Sequence, residues 1–167
     1  AVMLTAQEKL DLSDEQVVLG LFTASAFGMV IARKASISGA VCGCQAECGS
    51  AAAMASAASV ELAGGTPEQA AHACAMVIKN VLGLVCDPVA GLVEVPCAKR
   101  NAMGTSLALV CADMALAGIE SVIPADEVIM AMSDVGRILP ESLRETALGG
   151  LAVTPTALAL AQKILQS

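Results

Sequence analysis

Apolar positions recur at helical spacing through long alanine-rich segments, and no segment alternates apolar and polar residues well enough to make a strand. The pattern predicts an all-α fold of about six to seven Ala-rich helices. Ser13-Asp-Glu-Gln16 has the spacing of a capping box, so a long helix is expected from about Asp14 to the low thirties. Arg33 and Lys34 close it, where cations suit the helix dipole. A second helix spans Ser50 to Ala63 and stops at Gly64-Gly65, and Thr66-Pro67-Glu68-Gln69 opens a third that ends near Gly83. A fourth runs from Lys99-Arg100-Asn101 to Gly118, with Asp113 as the one charge on an apolar face and so in need of a partner. Pro124 opens another, Pro140 a short one ending at Gly149-Gly150, and Thr154-Pro155 the last.

One stretch breaks this rhythm. Cys86-Asp-Pro-Val-Ala-Gly-Leu-Val-Glu-Val-Pro-Cys97 holds two thiols, two prolines and a glycine in twelve residues. Pro88 biases Cys86 and Asp87 away from helix, and Pro96 fixes the backbone just before Cys97. The expectation is a stiff, non-helical loop that presents both thiols to a ligand. The plainer fate of a free cysteine, a small buried hydrophobe, suits Cys74 and Cys111, which lie within helical segments.

Composition narrows the function classes. Hydrophobic residues make up 56% of the chain and aromatic residues 1%, so burial must come from close packing of small and aliphatic side chains. A net charge of -7 with no basic run argues against nucleic-acid and anionic-lipid partners. Val17 to Ala32 carries no charge but falls short of the roughly 20 residues that a membrane span needs. It reads as a buried core helix. Seven cysteines, an odd count, favour a reducing compartment and a bound metal or cluster over a disulfide framework. The expected location is the cytoplasm.

Cys42-Gly-Cys44-Gln-Ala-Glu-Cys48-Gly is the second cysteine cluster, with glycines that let the backbone fold tightly around a bound group. Spacing leaves open which of its three thiols ligates. Paired C-x2-C knuckles are absent, and His72 reads as a helix-surface residue, so a structural zinc module is a weak match. One thiol from this cluster together with Cys86 and Cys97 would leave a fourth metal position open, which means chemistry rather than scaffolding. Soft thiolates without histidine favour an iron-sulfur cluster, and a 4Fe-4S cluster on three thiolates has one iron free as a Lewis acid.

The motifs Ser-Ile-Ser-Gly-Ala-Val-Cys-Gly-Cys-Gln-Ala-Glu-Cys-Gly and Gly-Leu-Val-Cys-Asp-Pro-Val-Ala-Gly-Leu-Val-Glu-Val-Pro-Cys-Ala-Lys-Arg-Asn-Ala resemble the α chain or catalytic domain of the iron-sulfur L-serine dehydratases. The likeness extends from about Ala35 to Thr156. It implies Cys44, Cys86 and Cys97 as the ligands of a 4Fe-4S cluster, and conversion of L-serine to pyruvate and ammonia without pyridoxal phosphate. It also implies a β domain or β subunit as partner, and an oligomer. Residues 1–167 are then expected to be a single helical catalytic-domain fragment, without the N-terminal part of that domain. No residue is marked as the catalytic base. Lys34, Ser36, Ser38, Arg100 and Asn101 are the polar candidates near the cysteine motifs, and the cations among them suit the substrate carboxylate. The competing class is a non-enzymatic iron-sulfur protein for electron transfer or sensing, whose cluster would take a fourth cysteine, Cys42 or Cys48.

Overall fold

The computed structural model describes residues 1–166. Among these the chain forms eight α-helices and no strand: α1 (Val2–Leu10), α2 (Asp14–Lys34), α3 (Gly39–Cys42), α4 (Cys44–Leu62), α5 (Pro67–Val81), α6 (Cys97–Leu116), α7 (Ala125–Ile138) and α8 (Pro155–Leu165). The capping boxes at Ser13/Gln16 and Thr66/Gln69 both form, each with the serine or threonine oxygen accepting from the third helical N–H. The expected short helix after Pro140 is only a 3-10 turn, Glu141–Leu143.

The bundle is built around α4, which packs against α2, α5 and α6. Alanine, serine and glycine cover most of its surface, and 14 of its side chains or backbone positions are buried. A helix with small residues all round lets neighbours approach from every side. Its partners bring the larger groups: Val77 and Ile78 from α5, Ile129 and Met132 from α7, and Ile31 from α2 are at most 1% exposed. Cys74 and Cys111 are both fully buried in this core, as small hydrophobes.

Three expectations fail for physical reasons. The helix read from Ser50 starts at Cys44, so Cys44 and Cys48 of the second cysteine cluster lie on the first turns of α4, and Cys42 ends α3, instead of all three lying in a wrapped loop. Its N-terminus is tied to the end of the α5 connection: Leu84 O accepts from Gln45 N at 3.0 Å, and Gln45 Oε1 accepts from Gly83 N at 2.9 Å. The second failure is α2, which is not a buried core helix. It extends beyond the uncharged run to 21 residues, long and apolar enough by length and composition to cross a membrane, and 22% of its most apolar stretch is buried. Its inward stripe is Gly20, Ala24 and Ile31, while Leu19, Phe22 and Met29 are more than half exposed. The third is Asp113, which is exposed and solvated, because α6 turns that position outward and the apolar face of the helix lies at Ala108, Cys111, Ala112 and Ala115.

Candidate metal centre

Three segments meet at one end of α4. Cys44 opens α4, Cys97 opens α6, and Cys86 lies within the loop that joins α5 to α6. The loop is non-helical as expected, with one 3-10 turn at Val89–Gly91. A distant part of the chain sets the Cys86 backbone: its N–H donates to Leu143 O at 2.9 Å, its carbonyl accepts from Glu145 N at 2.8 Å, and it forms an isolated parallel bridge with Arg144.

Cys44, Cys48 and Cys86 form a buried cluster of their own, separate from the main core, with Leu84 packed against it. Cys44 Sγ lies 3.7 Å from Cys48 Sγ, as expected for neighbours four apart on one helix face. Cys97 is 6% exposed and close enough to feel the Cys44 charge and to bear on Cys48. Cys42 is turned away, its Sγ packed against Gly136 of α7. Of the two cysteines flanking Cys44, only Cys48 reaches the site. All seven cysteines are free thiols.

The electrostatics favour one anion. The Cys48 thiol donating to Cys44, with the Arg100 guanidinium beside it, brings the Cys44 thiol down to about 6 against the cost of burial. Cys48, as donor to that thiolate and buried, is pushed well up. Burial first, and the Cys44 charge next, raise Cys86 to about 12 and raise Cys97 as well.

Arg100 is anchored from behind. Its Nη1 donates to Asp87 Oδ1 at 2.9 Å and to Val85 O at 2.8 Å, and the two side chains are 14% and 3% exposed. Asp87 Oδ2 accepts from Leu151 N at 2.7 Å. Gly150 permits this approach: its φ is +59°, and a Cβ there would collide with the Asp87 carboxylate. Asp87 therefore joins the loop, α6 and the segment before α8 in one buried knot.

The other polar candidates are scattered. Lys34 reaches α7, where Nζ lies 3.9 Å from the exposed Asp126 carboxylate. Ser36 Oγ accepts from Ser38 N at 3.0 Å, and Ser38 precedes α3. Asn101 Nδ2 donates to Cys97 O at 3.0 Å, and its side chain helps line an apolar groove of about 480 Å³ between α1, α2, α4 and α6 that reaches Cys48. His72 is half-buried, with Nδ1 accepting from Ser121 N at 3.2 Å. Sequence reasoning missed Glu47 and Asp87. Glu47, one turn after Cys44 on the same helix face, could have been found from its i, i+3 spacing. Its carboxylate and the thiols of Cys44 and Cys86 have ligand atoms within 4.8 Å of one another, a group that could hold a metal ion.

Free thiols converging on one buried pocket beside a guanidinium, with no imidazole among them, suit a soft-metal or iron-sulfur group. The family described as serine dehydratase alpha chain matches residues 1–152. The chain is 64% identical over 162 residues to "Probable L-serine dehydratase, alpha chain" of Bacillus subtilis (strain 168), covering 97% of this chain and 54% of that protein. It is 61% identical over 157 residues to the protein of the same name from Latilactobacillus sakei, covering 94% and 75%. Against "L-serine dehydratase, alpha chain" of Peptoniphilus asaccharolyticus it is 54% identical over 156 residues, covering 93% and 53%. The chain thus spans about half the length of the Bacillus and Peptoniphilus relatives. The matched region takes in Cys44, Cys86, Cys97, Glu47, Asp87 and Arg100 together, and the chain belongs to the serine dehydratase alpha chain family.

Proposed function

We propose that this chain is the cluster-binding part of an L-serine dehydratase, which removes water from L-serine to give aminoacrylate, then pyruvate and ammonia, and that Cys44, Cys86 and Cys97 hold a 4Fe-4S cluster. What supports the reading is the burial of Cys44 and Cys86 in one cluster beside Arg100, with Cys97 near enough to feel the Cys44 charge, together with the family. Such a cluster, held by Cys44, Cys86 and Cys97, would supply Lewis-acid chemistry through an iron that the protein leaves open.

The rest of the chemistry falls to the chain. Arg100, fixed by Asp87 and Val85 O, offers its remaining N–H groups to a substrate carboxylate, and anchoring that end orients the Cα proton and the β-hydroxyl. Its low exposure strengthens the pairing by keeping water away. Among the polar candidates Arg100 is the one beside a cluster thiol, Asn101 donates to the carbonyl of Cys97, and the base that takes the Cα proton is assigned to none of them. The exposed apolar faces of α2 and α8 suit a β domain or β subunit and an oligomeric enzyme.

The test is anaerobic reconstitution with iron and sulfide, followed by absorbance and iron and sulfide analysis. Cys44→Ser, Cys86→Ser and Cys97→Ser should each lose the cluster, because two thiolates cannot replace the third. In the whole enzyme, serine should perturb a single iron in the Mössbauer spectrum. One observation favours a second reading: Cys48 lies 3.7 Å from Cys44, where it could complete a four-cysteine electron-transfer cluster. Loss of the cluster in Cys48→Ala, with no response to serine, would decide for that reading.

A further inference from the structure

Glu47 is the one carboxylate among the grouped metal-binding atoms, and the dehydration chemistry assigns it nothing. It lies in the first turn of α4, one turn beyond Cys44, where the positive end of the helix favours anions. Across from it, Gly39 leaves a hollow. A Cβ at that position would come within 2.7 Å of Glu47 Oε2 and 3.0 Å of Cys86 Sγ, so the missing side chain is what lets the carboxylate and the thiol face each other. Cys44 closes the third side, and all three ligand atoms lie within 4.8 Å of one another. Two ligands on a tetrahedral zinc ion are roughly 3.5–3.8 Å apart, given metal-ligand bonds of about 2.0–2.3 Å. Side-chain rotation of about an ångström closes the difference. Cys48 and Cys97 fall outside this group.

We propose that Cys44, Glu47 and Cys86 form a binding site for one borderline-soft divalent ion, zinc or ferrous iron, in the chain that carries no cluster. Two thiolates and a carboxylate select such ions over magnesium and calcium, which take oxygen ligands. Three protein ligands leave one position for water. Glu47 is exposed at the mouth while both thiols are buried, so the carboxylate meets an incoming ion first and the thiolates hold it. The site goes beyond the cluster reading and competes with it, because a bound ion occupies two of the three cluster thiolates. Zinc bound here blocks cluster assembly.

The experiment is an anaerobic titration of the reduced, cluster-free chain with Co²⁺, read by thiolate-to-cobalt charge transfer and tetrahedral d–d absorption, with zinc as competitor. The expected result is one tetrahedral ion per chain, displaced by zinc. Glu47→Gln should weaken binding roughly tenfold or more, since even second-shell losses cost 10–100-fold, while far-UV dichroism stays unchanged at this exposed position. Cys97→Ala should bind as the parent does. Parent-like affinity in Glu47→Gln, or loss of the site in Cys97→Ala, overturns the proposal. The outcome separates cleanly from the dehydratase reading. A chain that binds cobalt through Glu47 but never assembles a cluster upholds this site and sinks that reading, and one that assembles a cluster while ignoring Glu47 does the reverse.

Discussion

Replacing Asp87 by asparagine removes one charge and keeps the shape, which isolates the buried pair with Arg100. The two side chains are 3% and 14% exposed, so water does little to compensate the stranded guanidinium. Removing one partner of a buried ion pair costs about 3–5 kcal/mol. The lower end applies here, because Val85 O still accepts from Arg100 and the new amide oxygen can still accept from Leu151 N. A loss of about 3 kcal/mol corresponds to a fall in melting temperature of roughly 6–12 °C for a domain of this size. Asp87→Ala gives up the Leu151 bond as well and should fall further. The assay is far-UV dichroism on the cluster-free chain under reductant, with Arg100→Gln and the double variant completing a cycle. The double variant should be less destabilised than the two singles added together, because it strands no charge. A fall of less than about 2 °C for Asp87→Asn, or strict additivity in the cycle, would refute the account of Asp87 as the knot of the site.

Thiolate absorbance should show one cysteine of the cluster-free chain titrating near pH 6 and the rest above the ordinary thiol range, with Arg100→Gln moving the early one upward. Because the Cys44 thiol is lowered on folding, it contributes stability that is present above its unfolded value and lost as the pH falls through about 6; a melting temperature that rises over that descent would contradict it. Cys74→Ala and Cys111→Ala, in the fully buried core, should cost on the order of 1 kcal/mol and leave cluster content unchanged, which melting and iron analysis together would check. Gly150→Ala should destabilise by more than 1 kcal/mol through its positive φ and the Asp87 contact, and a neutral melting curve would count against that packing. The isolated chain should self-associate in light scattering, less so in Phe22→Ser/Met29→Ser, since both residues are 68% exposed.

The helices were legible because the signals that mark them are local. Ser13/Gln16 and Thr66/Gln69 announce their own caps, and the prolines of the Cys86 loop announce an interruption. What the sequence could not show was direction. The uncharged run in α2 looks equally apolar on all sides, yet Gly20, Ala24 and Ile31 face inward while Leu19, Phe22 and Met29 face out, a choice made by how closely two helices can pack. The cysteine motif hid its helix because Gly43 and Gly49 suggest a loop, while the bond from Gln45 N to Leu84 O sets the start of α4 from elsewhere in the chain. Cys42 and Cys48 flank Cys44 in the chain, and the helical turn alone separates one that reaches the pocket from one that packs on Gly136. Arg100 was within reach as a polar residue of the site; Asp87 behind it was not, because its second partner, Leu151, is 64 residues away.

The backbone link between Cys86 and Leu143, Arg144 and Glu145 ties the pocket to the order in which the chain can fold. Helices α4, α5 and α6 are near neighbours in sequence and can pair through short loop closures, which places Cys44 and Cys97 early. Cys86 acquires its partners only when the segment after α7 returns across a long loop, an entropic cost that must be met before the contact gives anything back. A polypeptide cut before Pro140 would keep every cysteine and lose that anchor. Whatever binds the thiols then binds the closed chain in preference to the open one and stabilises it by mass action, so occupancy of the pocket becomes a proofreading signal for the docking of the segment that follows α7.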